Sequence, residues 1–221
     1  MRDVYAKVSG KIVGALYTES GNNYLNVKVT TTSKDKTYED VYKLFLPDNA
    51  FQSLSKVDNL TGKQISVRGS VSDKKFADDT YKSVVYVSKV DFLGTPDFAE
   101  DYADATVGGK IKFFDSREVG ITNVTRFSIE IVKTIKDKTI TNYFGGNIWD
   151  ASHFANQELV GTVYGALKPN SYVDKEGKQV DKIEITAYDT SFGGASDAKV
   201  AKPTPKVKKT AEEIPEEDLP F

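Results

Sequence analysis

Residues 24–30 read Tyr-Leu-Asn-Val-Lys-Val-Thr, and residues 126–131 read Arg-Phe-Ser-Ile-Glu-Ile. In the first, Leu25, Val27 and Val29 alternate with polar neighbours; in the second, Phe127, Ile129 and Ile131 do the same. A period of two, carried by branched and aromatic side chains, predicts a half-buried antiparallel strand. Each strand turns its apolar residues to a core. Tyr24 and Lys28, or Arg126 and Glu130, then lie on the outward face.

The two stretches are not an isolated coincidence. Val8-Ser9-Gly10-Lys11-Ile12 returns as Val107-Gly108-Gly109-Lys110-Ile111. Lys34-Asp35-Lys36-Thr37 returns as Lys136-Asp137-Lys138-Thr139, and Val67-Arg68-Gly69-Ser70-Val71 returns as Val163-Tyr164-Gly165-Ala166-Leu167. Phe92-Leu93-Gly94 and Ser191-Phe192-Gly193 close the two series. The order is the same in both halves and the spacing drifts by only a few residues, which is the mark of a duplicated unit of about 90 residues.

Each unit has the same element string. After the alternating strand comes a charged hairpin tip at Lys34–Lys36. A third strand follows from about Tyr38 to Leu46, with Tyr42, Leu44 and Leu46 inward and Val41, Lys43 and Phe45 outward. Helical pattern occurs once per unit, near 49–57 and near 149–156. Two further strands follow, the last near 82–90 and near 182–188. Three strands, a short helix and two strands is the order of the OB-fold, a five-stranded Greek-key barrel. An SH3-like barrel or small sandwich would give a similar string, but the single helix between the third and fourth strands favours OB. The expected fold is mainly β: two tandem OB-fold-like barrels, residues 1–95 and 106–193, joined by a Pro- and acid-rich linker at 96–105. A flexible Lys/Pro segment, 194–211, and an acidic tip, 212–221, complete the expected organisation.

Composition narrows the chemistry. The chain of 221 residues has no Cys and one His, His153. Disulfides and thiolate zinc sites are excluded, and most His-based metal or triad chemistry with them. No run is long enough for a signal peptide or a membrane span, so a cytoplasmic location is expected, with no membrane partner. Asp78-Asp79 and the pair Asp101/Asp104 read as solvated loop acids rather than a catalytic dyad. Gly108-Gly109-Lys110 lacks the spacing of a phosphate loop. We therefore expect no enzyme, no metal and no cofactor. The net charge is −2. Residues 197–221 hold five Lys and six acids, which leaves 25 basic and 26 acidic side chains in residues 1–196. A polyanion would need a local basic stripe on a nearly neutral body.

Such a stripe is available. Strands two and three of an OB barrel form a groove for single-stranded nucleic acid, where cations meet phosphates and flat rings stack on bases. The outward positions of the first unit supply Tyr24, Lys28, Lys43 and Phe45. The hairpin tip adds Lys34 and Lys36, the Val-Arg-Gly strand adds Arg68, and Tyr17 stands at the end of the first strand. The second unit offers Arg126, Lys133, Lys136, Lys138 and Tyr143, with Phe113 and its neighbour Phe114 at the end of its first strand and Trp149 just after Tyr143's strand.

The terminus sharpens this expectation. The chain ends Glu-Glu-Ile-Pro-Glu-Glu-Asp-Leu-Pro-Phe. An acidic segment with an exposed apolar end can enter a partner's pocket while its carboxylates meet basic residues at the rim. This ending resembles the C-terminal tip of bacterial and bacteriophage single-stranded DNA-binding proteins. Glu216, Glu217 and Asp218 match the acidic stretch of that family, Leu219 its apolar position, Pro220 its Pro and Phe221 its final Phe. The resemblance implies OB barrels that bind single-stranded DNA without catalysis, in replication, recombination and repair. It also implies a tip that recruits polymerase-, helicase-, primase- or recombinase-type partners. Common members carry one barrel per chain and form tetramers; with two barrels here, a homodimer would supply four. The competing expectation is a structural or adaptor protein, for example phage-encoded, whose barrels bind protein instead.

Overall fold

The computed structural model describes residues 4–33, 35–76, 80–95, 100–135, 137–175 and 177–192. The linker 194–211 and the tip, including Glu216, Glu217, Asp218, Leu219, Pro220 and Phe221, lie outside the described residues.

The first unit comprises β1 (Val4–Glu19), β2 (Asn22–Ser33), β3 (Lys36–Leu46), α1 (Asp48–Leu54), β4 (Gln64–Lys75) and β5 (Tyr81–Gly94). The second comprises β6 (Tyr102–Val119), β7 (Thr122–Ile135), β8 (Lys138–Trp149), a 3-10 turn (Ser152–Phe154), β9 (Glu158–Val173) and β10 (Gln179–Phe192). In the first unit β1 pairs with β2, β2 with β3, β3 with β5 in parallel, β5 with β4 and β4 with β1, which closes a five-stranded barrel. The second unit closes in the same way through β6, β7, β8, β10 and β9. Both are OB-like barrels, as expected. The alternation read from the sequence sets their cores: Leu25, Val27, Val29, Tyr42, Leu44 and Leu46 are buried in one, and Phe127, Ile129 and Ile131 in the other.

Two repeated glycines have a physical cause. A Cβ on Gly69 would lie 1.9 Å from the Tyr86 carbonyl oxygen, and one on Gly165 would lie 2.1 Å from that of Thr186. Here the neighbouring strand's backbone crosses so closely that only a hydrogen fits. The same steric demand, placed in both barrels, keeps the Val-x-Gly motif in both halves.

Two expectations are corrected. The helix expected near 149–156 is only the 3-10 turn. Trp149 remains in β8, and Asp150 and Asn156 take φ of 54° and 61°, which ends helical geometry on both sides. Phe154 still packs its ring on Phe113, at 5.1 Å between centroids, so the hydrophobic plug survives without the helix. The second correction concerns residues 96–105. β6 begins at Tyr102, inside the expected linker, and residues 102–106 pair antiparallel with β1 from Ser9 back to Tyr5. Asp101 accepts hydrogen bonds from the Thr30 backbone N–H (2.8 Å) and from Gln64 Nε2 (2.7 Å). It fastens the connection to the first barrel and is not a solvated loop acid. Asp104 lies in β6 beside Tyr164, whose hydroxyl donates to it at 3.2 Å, and burial raises its pKa above the usual carboxylate value. Asp78 and Asp79 lie outside the described residues.

The barrels are therefore not beads on a flexible string. β5 also meets β10, with Lys82 opposite Asp181, and Lys168 Nζ reaches Asp40 at 3.0 Å. The buried Tyr42 hydroxyl donates across the joint to the Leu167 carbonyl at 2.7 Å. One apolar cluster runs through both barrels.

Candidate functional site

The outward face of β2, β3 and β5 in the first barrel gathers aromatic rings. Register explains how. Tyr24 on β2 faces Phe45 on β3, and Phe45 faces Tyr86 on β5. Phe45 and Tyr86 have centroids 4.1 Å apart at 31°, and Tyr24 meets Phe45 edge-on at 5.8 Å. Tyr17, from the far end of β1, lies 5.6 Å from Tyr24, and Phe76, just beyond β4, lies 5.9 Å from it at 28°. Rings at these separations gain from offset and edge contacts as well as from burial.

Three ammonium groups lie over these rings. Lys43 Nζ is 4.3 Å from the Tyr24 centroid and 4.4 Å from that of Phe76. Lys74 Nζ is 4.1 Å from the Phe45 centroid and 5.8 Å from that of Tyr86, and Lys82 Nζ is 5.6 Å from that of Phe76. Glu19 pairs with Lys43. Lys74 has no such carboxylate among the described residues, and burial together with the nearby Lys43 charge lowers its pKa below the ordinary lysine value. Lys82 lies 3.6 Å from Asp181, so Lys74 is the ammonium of this platform that an anion can approach without displacing a carboxylate.

Tyr24 is on the outward side of its strand, as the alternation requires, yet it is fully buried. Phe76, Tyr17, Phe45 and Lys43 cover it. Its hydroxyl has no hydrogen-bond partner among the described residues, and burial raises its pKa, with the Glu19 charge adding to the effect. Tyr24 is thus the floor of the cluster rather than a free stacking surface. Tyr86 is 37% exposed, and Tyr17 and Phe45 are half-buried, so these three offer ring surface. Lys28 is paired with Glu39 at 2.7 Å, further along the same face, and Lys36 is exposed at the hairpin tip.

Other expected residues are placed elsewhere. Arg68 lies on β4, which pairs with β1 and β5 and not with β2 or β3. Two of its nitrogens donate to the Asp91 carboxylate at 2.6 Å each, which lowers the Asp91 pKa and holds the guanidinium away from the aromatic face. Phe113 is 1% exposed, in the core of the second barrel against Phe127 and Phe154, because the register puts it on the inward side of β6. It is Phe114 that is exposed, with Lys112 Nζ 5.9 Å from its ring. Arg126 is on the outward face of the second barrel, 3.7 Å from Glu184. Tyr143 is highly exposed on β8, and Trp149 is half-buried at the end of that strand. Lys133 lies in β7 and Lys138 in β8, flanking the second hairpin tip, while Lys34 and Lys136 lie outside the described residues.

Lys74, Phe76, Lys82 and Tyr86 belong to the cluster although the sequence does not single them out. Tyr86 carries a signal, since it stands at an outward position between Val85 and Val87. Lys74 and Phe76 come from β4 and its end, and their approach to the Tyr24 ring leaves no periodic trace. A separate concavity of about 280 Å³ lies near the joint, between Tyr5, Lys7, Tyr102, Asp104 and Tyr164. There Lys7 faces Asp104 across β1 and β6, so no unbalanced cationic surface results.

No family model and no curated protein matches the sequence. Solved structures do match the fold. The wild-type single-stranded DNA binding protein from Thermus aquaticus aligns over 91% of this chain and 98% of its own, at 14% identity and a TM-score of 0.62. A deletion mutant of the same protein, which also carries a point substitution, aligns over 91% of this chain and 100% of its own, at 13% identity and a TM-score of 0.64. The alignments span both barrels, so it is the fold of the Thermus aquaticus protein, more than residue identity, that this chain shares.

Proposed function

We propose that this protein binds single-stranded DNA without catalysis, through the outward face of β2, β3 and β5 in the first barrel. The observation that carries the reading is the cluster of Tyr17, Phe45 and Tyr86 with Lys43, Lys74 and Lys82. Rings beside ammonium groups suit a ligand that alternates bases and phosphates, and stacking on such rings is tolerant of sequence. The likeness in fold to the Thermus aquaticus protein supports the same ligand. Replication, recombination and repair are the processes in which such an activity serves, and the bacterial or phage-infected cytoplasm is the compartment. The tip from Glu216 to Phe221 recruits replication or recombination proteins by the chemistry of an acidic, apolar-ended peptide. A homodimer would bring four barrels to one strand.

Titration of the full chain with oligo-dT, followed by the fluorescence of its twelve Tyr, tests the reading. Strong quenching is expected, with an affinity that falls steeply as salt rises and is much weaker for duplex. Equal affinity for duplex and single strands would overturn it. Deletion of Leu219–Phe221 is expected to leave oligo-dT affinity intact or slightly higher while abolishing capture of a tip-binding partner. A deletion that weakens DNA binding about tenfold, a loss of direct strand contact, would remove the tip from the partner role.

A further inference from the structure

The two barrels are duplicates, so each position on the aromatic face has a counterpart that strand register identifies. Asn26 faces Lys43 in the first barrel, and Ser128 faces Gly145 in the second. Tyr24 faces Phe45, and Arg126 faces Asn147. Phe45 is beside Tyr86, and Asn147 is beside Thr186. Lys74 faces Lys82, and Asn170 faces Lys182. Reading across, Lys43 becomes Gly145, Phe45 becomes Asn147, Tyr86 becomes Thr186 and Lys74 becomes Asn170. Lys28 becomes Glu130 by the same spacing as Lys43 and Phe45.

The loss is more than one of rings. Glu184, at the position of Val84, stands in the middle of the second face with its side chain only 15% exposed. Arg126 pairs with it at 3.7 Å, and Asn170 Nδ2 donates to it at 3.2 Å. Arg126 is engaged by that carboxylate much as Lys43 and Lys82 are by Glu19 and Asp181 in the first barrel, and Lys82 is matched by Lys182, so what the second face lacks is the rings of Phe45 and Tyr86 and the ammonium groups of Lys43 and Lys74. Tyr143 supplies an exposed ring at the position of Val41, and Tyr172 one at the position of Phe76, but between them no aromatic platform comparable to Phe45 and Tyr86 is formed by these counterparts.

From this we infer that the protein holds a single strand asymmetrically: the first barrel stacks its bases, and the equivalent face of the second barrel does not. Of the two equivalent faces, one then stacks a strand, and the other belongs to a barrel that completes the joint and the core. This inference rests on the proposed single-stranded DNA reading and assigns the site within it.

Gly145 provides a direct test, because a Cβ there would come no closer than 3.6 Å to another group, the Glu184 Oε1 atom. The backbone there accepts a side chain's first atom in ordinary contact, and Glu184 would stand beside a lysine as Glu19 stands beside Lys43. Three full-length variants are compared with the unaltered protein in oligo-dT titrations of increasing length. Phe45→Ala with Tyr86→Ala is expected to weaken binding on the order of ten- to a hundredfold. Arg126→Ala with Tyr143→Ala is expected to change it less than about threefold, as for groups outside the strand's path. Gly145→Lys with Asn147→Phe is expected to tighten binding to long oligonucleotides and to lengthen the segment each chain occludes, with little effect on short ones. Circular dichroism melts confirm folding, and the last two variants decide the matter even where the first unfolds. Binding by the unaltered protein together with an equal loss in the first two variants would overturn the asymmetry and leave the ligand standing. No binding by the unaltered protein would overturn both.

Discussion

Lys74 shows how one residue can report on the site. Its ammonium lies over Phe45 with Lys43 close by, and burial and that charge hold its pKa below the ordinary lysine value. A phosphate placed beside it favours the charged form and raises that pKa. On the proposed reading binding takes up a proton at Lys74, and the affinity for oligo-dT should fall as pH rises through the Lys74 pKa of the free protein. Lys74→Arg, which stays charged throughout, should flatten the profile on its alkaline side. Fluorescence titrations at a series of pH values and constant ionic strength measure this, and a profile unchanged by the substitution would remove Lys74 from phosphate contact. Arg68 is the counter-example. Two of its three guanidinium nitrogens donate to Asp91, away from the aromatic face. Arg68→Ala should leave oligo-dT affinity within about twofold, as expected of a surface pair outside the site. In the sequence Arg68 and Tyr86 stand on equal footing as outward strand residues. Only the pairing of strands separates the one from the site and brings the other into it.

At the level of elements, repetition is legible because its causes are local. The alternation at Leu25–Val29 and Phe127–Ile131 follows from the pleat, and the repeated Gly69 and Gly165 follow from the neighbouring backbone, 1.9 and 2.1 Å from where a Cβ would stand. Gly69→Ala or Gly165→Ala should destabilise the fold by about 3 kcal/mol, through overpacking against a strand that cannot move aside. Denaturant melts measure it, and an alanine variant as stable as the parent would show that the strands separate freely there. The second helix is the element the sequence misrepresents. Apolar Trp149 and Phe154 suggest a turn of helix, but the positive φ at Asp150 and Asn156 confines the backbone to a single 3-10 turn. Phe113 differs from expectation for a related reason. The register of β6 shifts between Phe113 and Ser116, and adjacent aromatic residues at such an irregularity cannot be assigned to a face from sequence alone.

For the molecule as a whole, the joint decides the behaviour. Residues 102–106 of β6 add to β1, β5 touches β10, and the apolar cluster is continuous from one barrel to the other. The two barrels should therefore unfold together, in one transition seen alike by far-ultraviolet circular dichroism and by fluorescence. Tyr42→Phe removes the buried hydrogen bond to the Leu167 carbonyl and leaves that oxygen without its donor. A loss of about 1–3 kcal/mol is expected, shared by both barrels. Two separate transitions, with only the first moved by Tyr42→Phe, would show that the barrels are thermodynamically independent.

The sequence by itself determined the duplicated unit, the strand string, the inward residues and the acidic, apolar-ended tip. Each of these is written in short-range periodicity or in composition, where one residue's neighbours are enough to read it. The tertiary structure decided what needs distant residues to meet. It brought Lys74 and Phe76 to the ring of Tyr24, seated Tyr24 as a buried floor, withdrew Arg68 to Asp91, and turned part of an apparent linker into a strand of the joint. It also set the two duplicated faces side by side by register, and so exposed a difference between them that the shared pattern of their sequences conceals.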